Sequence, residues 1–227
     1  MGKLFGTDGI RGIANRDLTP ELAYKLGKTG SYILMNKSSN KKSKVVVGKD
    51  TRISGDLLES SITAGFLSMG VDVVSLGVVP TPAVAYLTRH LEADFGIVIS
   101  ASHNPAEYNG IKFFNNKGYK LSDEIENRIE QYISNYDDTG GKIEGKDVGI
   151  IICGKNSVDE YINFLKTTID YDFKGFKIAV DTGNGAAYEV APKLLHDLGA
   201  DVFVINDQPN GININDNCGS TNPQKVA

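Results

Sequence analysis

The sequence predicts an α/β protein, with a doubly wound domain over residues 1–150 and a partial second α/β unit over residues 151–227. Short β-branched runs, such as Val45-Val46-Val47 and Phe95-Gly-Ile-Val-Ile99, alternate with segments whose apolar residues recur at helical spacing. Glycine, proline and aspartate punctuate the joints. One order of elements also occurs twice: strand, Asp-Thr loop, helix, glycine stop, strand.

The amino-terminal stretch holds Gly6, Gly9 and Gly12 around Thr7, Asp8 and Arg11. Closely spaced glycines let backbone approach a ligand, and Arg11 adds a planar, permanent charge suited to phosphate. Thr19-Pro20-Glu21 is a helix start. Leu22, Leu26 and Ile33 follow at helical spacing, and the helix should end near Met35 before a polar loop at 36–43. Val45–Val47 is a buried strand that runs into Gly48-Lys-Asp-Thr-Arg52. Open α/β sheets place ligands at such carboxyl ends. Asp50 and Arg52 read as a structural ion pair there.

Ser54 is in place to cap the next helix, whose inner face is Leu58, Ile62, Gly65, Phe66 and Met69, with Gly70 as the stop. A strand over Val71–Leu76, a helix opened by Pro80-Thr-Pro82 and a strand over Asp94–Ile99 follow. A polar loop then separates that strand from a second apolar run, Ile111–Phe114. Ser102, near the loop's start, offers a hydroxyl that can be phosphorylated, and His103 and Lys112 can donate or move a proton. Asn104-Pro105 and Asn109-Gly110 read as turn signals.

Asn116-Lys-Gly118 is a tight turn, and Ser122 begins a helix with acids in its first turn and Ile125, Ile129 and Ile133 facing inward. The weakest pattern lies over 137–149, and the domain boundary is placed there or slightly later. Ser157-Val-Asp-Glu160 reads as a capping box. A strand over Phe176–Val180, a helix over Gly185–Leu198 and a strand over Val202–Ile205 come next, and 208–227 reads as loop. The repeat aligns Asp50 with Asp181 and Asp72 with Asp201, at gaps of 22 and 20 residues.

The 227 residues suffice for one large or two modest cores, and 41% hydrophobic with 23% charged residues is ordinary for a globular protein. A net charge of −4 gives no general attraction to nucleic acid or an anionic membrane, so neither is expected as a partner. No apolar run nears the roughly 20 residues that cross a bilayer, and no leader pattern opens the chain. Cys153 and Cys218 lack metal-site spacing and read as thiols in a cytoplasmic protein.

Two strings resemble those of one family. Ser100-Ala-Ser-His-Asn-Pro105, followed by Tyr108-Asn-Gly-Ile-Lys112, resembles the phosphoserine loop of the α-D-phosphohexomutases. Leu4-Phe-Gly-Thr-Asp-Gly-Ile-Arg-Gly12 is similar to that superfamily's amino-terminal signature, and the likeness runs to the end of the chain. It implies a mixed sheet sandwiched between helices. It also implies an isomerase that interconverts the 6- and 1-phosphates of a hexose through a phosphoserine and a 1,6-bisphosphate. A signature so near Met1 is most like the amino-sugar branch, which acts on glucosamine phosphate; mannose and glucose phosphates are the alternatives.

By the same resemblance Ser102 is the phosphoryl carrier and, through its phosphate, a ligand of magnesium. Lys112 and Arg11 serve proton transfer and charge stabilisation, His103 stands beside them, and Thr7 and Asn104 contact substrate, with His103 and Asn104 also organising the loop. Both cations are expected to point toward Ser102. A homodimer is among the arrangements the resemblance allows.

Full-length members are about twice as long, and their magnesium loop, Asp-Gly-Asp-x-Asp-Arg, does not occur here. The chain alone is therefore expected to be inactive as a mutase. Two rival readings stand beside this one. Asp181-Thr-Gly183-Asn-Gly185-Ala-Ala-Tyr188 is close to a dinucleotide fingerprint, though Tyr188 takes its third small position. A non-catalytic phosphosugar-binding domain is the other.

Overall fold

The structure is a computed structural model, and it describes residues 4–6, 9–35, 41–134, 143–154 and 156–227. Among these, one sheet holds β1 (Ile10–Ile13), β2 (Lys44–Lys49), β3 (Asp72–Val78), β4 (Phe95–Ile99), β5 (Tyr108–Asn115) and β6 (Ile151–Cys153). Their spatial order is β1-β5-β4-β2-β3-β6. Strands β4, β2, β3 and β6 run parallel, while β5 is antiparallel to both β4 and β1. The sheet is mixed, as expected.

Side-chain alternation divides the interior in two. Val45, Val47, Val73, Ile97, Ile111 and Phe113 face a core shared with α1 (Pro20–Leu34), α2 (Ser54–Ser68) and α4 (Asp123–Ser134). Val46, Val74 and Val98 face the other core, shared with α3 (Thr81–His90) and α5 (Ser157–Lys166). Helices on both faces explain why every residue of β4 is buried.

The second unit is a parallel pair, β7 (Lys177–Asp181) and β8 (Asp201–Ile205), joined through α6 (Val190–Asp197). It repeats the β2-α2-β3 order, with Asp72 and Asp201 each opening the second strand. Val190 reaches the core that holds α3 and α5. Cys153 is exposed and Cys218 buried, neither in a disulfide, and burial pushes the Cys218 thiol up.

Several local expectations fail for identifiable reasons. Asn109 and Gly110 lie inside β5, not in a turn. The glycine-rich amino-terminal stretch contains strand β1, too short for alternation to reveal. Strand β6 has no counterpart among the sequence expectations, and it adds to the first sheet beyond residue 150. Ser54 is the first helical residue of α2, with Ile53 at the cap, and its hydroxyl instead accepts from Asn109 Nδ2 at 2.9 Å. Ser157 likewise starts α5, and its Oγ donates to the Gly154 carbonyl at 2.6 Å, so the capping box does not form. Helix α6 begins at Val190, not Gly185. Turns fill 183–189, so no strand leads straight into a helix as the dinucleotide fingerprint requires. The stretch 137–142 lies outside the described residues. Among the described residues no helix is long and apolar enough to cross a membrane.

Asp181 ties β7 to the following loops. Its carboxylate accepts from the Gly219 N–H at 2.8 Å, Asn206 Nδ2 at 2.9 Å and the Gly183 N–H at 2.9 Å. Burial works against the charged form, but these hydrogen bonds outweigh it and hold the carboxyl below its ordinary range. A carboxyl depressed on folding adds stability above its unfolded pKa, about 3.9, and loses it as pH falls through the folded value. Asp181→Asn should therefore flatten the fall in Tm below about pH 4. Thermal melts from neutral to acidic pH check this: parallel declines in variant and wild type would remove Asp181 as a contributor.

Candidate active site

Strand order reverses at β2. The chain passes outward from β2 to β3, then returns across β2 to β4. The carboxyl ends of β2 and β4 therefore form a topological switch point. Two loops leave it, 50–53 and 100–107, and the Asp50 N–H continues the ladder to the Ile99 carbonyl at 3.0 Å.

Arg52 joins these loops. Its side chain is 0% exposed and pairs through Nε with Asp50 Oδ2 at 2.9 Å. Nη1 donates to the carbonyls of Pro105 and of Tyr108, the latter at 2.9 Å. Nη2 donates to the carbonyls of Ser102 at 3.0 Å and Asn104 at 2.8 Å. All five guanidinium donors are used. The expected ion pair is present, and it also holds the loop that carries the serine.

Ser102 is exposed and adopts φ +58°. A side-chain-bearing residue in this left-handed region costs about 1–2 kcal/mol. Its backbone is held on both sides: its N–H donates to Ser100 Oγ at 3.0 Å, and its carbonyl accepts from Arg52. Ser100 is 8% exposed, and its own N–H donates to the Gly110 carbonyl at 2.9 Å.

Arg11 and Lys112 come from adjacent strands, β1 and β5. Ile10, Ile111 and Phe113 face the core with α1, so alternation puts Arg11 and Lys112 together on the opposite sheet face. Each stem passes over a glycine. A Cβ on Gly110 would lie 3.1 Å from Arg11 Cγ and 2.7 Å from the Ser100 carbonyl oxygen. A Cβ on Gly9, where φ is +88°, would lie 2.9 Å from Lys112 Cγ. Lys112 also lines a cavity of about 200 Å³ with Thr81, Phe114, Lys120 and the buried Glu126. Lys49, next to Asp50, is taken up by ion pairs with Asp56 and Glu59, the latter at 2.6 Å.

His103 is exposed beside Ser102, and Asn104 is engaged through its backbone carbonyl. Thr7 lies outside the described residues. Four hydrogen bonds to the second unit have no counterpart among the sequence expectations. Asn215 Nδ2 donates to the carbonyls of Ser102 at 3.0 Å and Asn104 at 3.2 Å. Thr51 Oγ1 donates to the Asn184 carbonyl at 2.5 Å, and the Ile53 N–H to the Gly211 carbonyl at 2.8 Å. The sequence carries a signal for the backbone there, though not for its partners. The run 210–217 is rich in asparagine, which tolerates left-handed backbone, and Asn215 and Asn217 adopt φ +59° and +50°.

An exposed, backbone-locked serine at a switch point, with two cations on one neighbouring sheet face, defines a site suited to phosphorylated ligands. Residues 2–140 match the phosphoglucomutase/phosphomannomutase family's alpha/beta/alpha domain I. The chain belongs to this family. It is 72% identical over its whole length to half of a phosphoglucosamine mutase from Alkaliphilus oremlandii, and 64% identical to half of one from Alkaliphilus metalliredigens. It spans about half the length of these curated relatives. In three dimensions it resembles a phosphoglucomutase/phosphomannomutase family protein from Burkholderia thailandensis, with TM-score 0.82 and 26% identity, over 99% of this chain and 49% of the other.

Two substitutions test the scaffold. Arg52→Ala leaves Asp50 buried without its partner, a loss of about 3–5 kcal/mol by urea denaturation, and Arg52→Lys should recover only part because an ammonium lacks the planar fork. Gly110→Ala should lower stability by about 1–3 kcal/mol, since its methyl meets the Ser100 carbonyl and the Arg11 stem. A wild-type denaturation midpoint in either alanine variant would contradict this geometry.

Proposed function

We propose that this chain is the amino-terminal portion of a phosphoglucosamine mutase, interconverting glucosamine 6-phosphate and glucosamine 1-phosphate. The observation that carries the reading is Ser102: exposed, left-handed and fixed at both backbone atoms, at the carboxyl ends of β2 and β4. The choice of sugar rests on the relatives' names.

In the forward half-reaction the O–P bond of phosphorylated Ser102 breaks as a new O–P bond forms to the sugar's free hydroxyl. The hydroxyl proton leaves to a base, for which Lys112 is the candidate in its neutral form. Arg11 offsets the charge on the transferred oxygens. The bisphosphate turns over within the site, and its other phosphoryl group returns to the Ser102 oxygen. Phosphoserine carries about −1.5 to −2 charge at neutral pH, which a permanent cation such as Arg11 would offset in a chain of net charge −4.

Magnesium suits this chemistry by neutralising phosphoryl oxygens. The residues described do not make its site by themselves: no group of three or more His, Cys, Asp or Glu side chains among them could hold a metal ion. The phosphate on Ser102 would be one ligand. Full turnover then calls for the remaining half found in the relatives, and the isolated chain should be inactive.

In the full-length protein, Ser102→Ala should abolish nearly all turnover, and phosphopeptide mass spectrometry should find phosphate on Ser102. Ser100 should not substitute, because it is buried and its Oγ accepts from the Ser102 N–H. About an ångström of misplacement can cost on the order of a hundredfold in rate. Coupled assays with glucosamine, mannose and glucose phosphates fix the sugar. Phosphate found only on Ser100, or wild-type turnover in Ser102→Ala, would overturn the assignment.

A further inference from the structure

We propose that Asn215, from the second unit, is a positioning residue for the Ser102 phosphoryl carrier. This rests on the reading of Ser102 given above. The carbonyl oxygens of Ser102 and Asn104 each accept two hydrogen bonds, one from Arg52 Nη2 and one from Asn215 Nδ2. A carbonyl has two lone pairs, so the two units share both acceptors between them. Two acceptors facing the amide also fix its orientation, with Nδ2 toward the loop.

Asn215 is itself held. Its N–H donates to the Gly183 carbonyl at 2.9 Å, and its neighbour Ile214 is 4% exposed. Gly183 in turn donates its N–H to Asp181 at the end of β7 at 2.9 Å. A short chain of hydrogen bonds thus runs from β7 through Gly183 and Asn215 to the Ser102 carbonyl. Arg52 fixes the loop from the carboxyl end of β2, and Asn215 fixes it from the second unit. With φ at +58°, Ser102 depends on such outside restraint, since its own preference is for another backbone region.

The test uses the full-length protein and Asn215→Asp. Aspartate is isosteric and tolerates the φ of +59° at this position, but it places an acceptor where the Nδ2 donor stood. The expected result is a kcat lower by about ten- to a hundredfold with KM within about twofold, and Ser102 still phosphorylated by intact mass. Asn215→Gly, which keeps the left-handed backbone and removes only the side chain, should shift kcat in the same direction, and it decides the matter if the aspartate variant does not fold. Unchanged kcat in a folded variant, even with a lower Tm, would reduce Asn215 to a structural contact and overturn the proposal. Failure of the underlying reading is recognisable from wild type alone. A wild-type protein without phosphate on Ser102 and without hexose-phosphate turnover would remove both.

Discussion

The site depends on one buried guanidinium. The stretch from Ser102 to Tyr108 is not laddered to a neighbouring strand until β5 begins, so its carbonyls need other donors. Arg52 supplies four of them from a single rigid plane and is neutralised by Asp50 on its remaining side. A buried ion pair is weak evidence of stability in itself. Here its larger effect is specification, because the fork admits one arrangement of four carbonyls and thereby sets the backbone of Ser102.

The cations depend on a complementary economy of space. Arg11 and Lys112 sit on one sheet face because β1 and β5 are antiparallel neighbours. Their stems run flat along that face because Gly110 and Gly9 present no side chain beneath them. The same glycine, Gly110, leaves clearance for the Ser100 carbonyl. The pairing of these two charges on one face is thus a packing property of two adjacent strands.

Much of this was legible in the sequence. The α/β alternation, the serine loop's place after β4 and the repeated unit all follow from periodicity that spans many residues. Shorter features were hidden. Strands β1 and β6, with four and three residues, carry too little alternation to be recognised. Ser54 and Ser157 look like caps, yet a distant amide, Asn109, claims the first hydroxyl and the preceding turn, through the Gly154 carbonyl, claims the second. Asn109-Gly110 looks like a turn, but pairing with Gly12 and Arg11 of β1 keeps it extended. The full role of Arg52 was unreadable because its carbonyl partners are defined only by the folded loop, and that of Asn215 because its partners lie more than a hundred positions away.

That last separation has a consequence for the order of folding. Arg52 and the carbonyls it holds are 50 to 56 residues apart, within the first sheet. Asn215 and its carbonyls are 111 and 113 apart. Contacts of such length close late, after the local units have formed. During synthesis a nascent chain can assemble its first sheet and seat Arg52 while Asn215 is still inside the ribosome. The serine then waits in a half-restrained loop, and the second unit's arrival is the event that matures it.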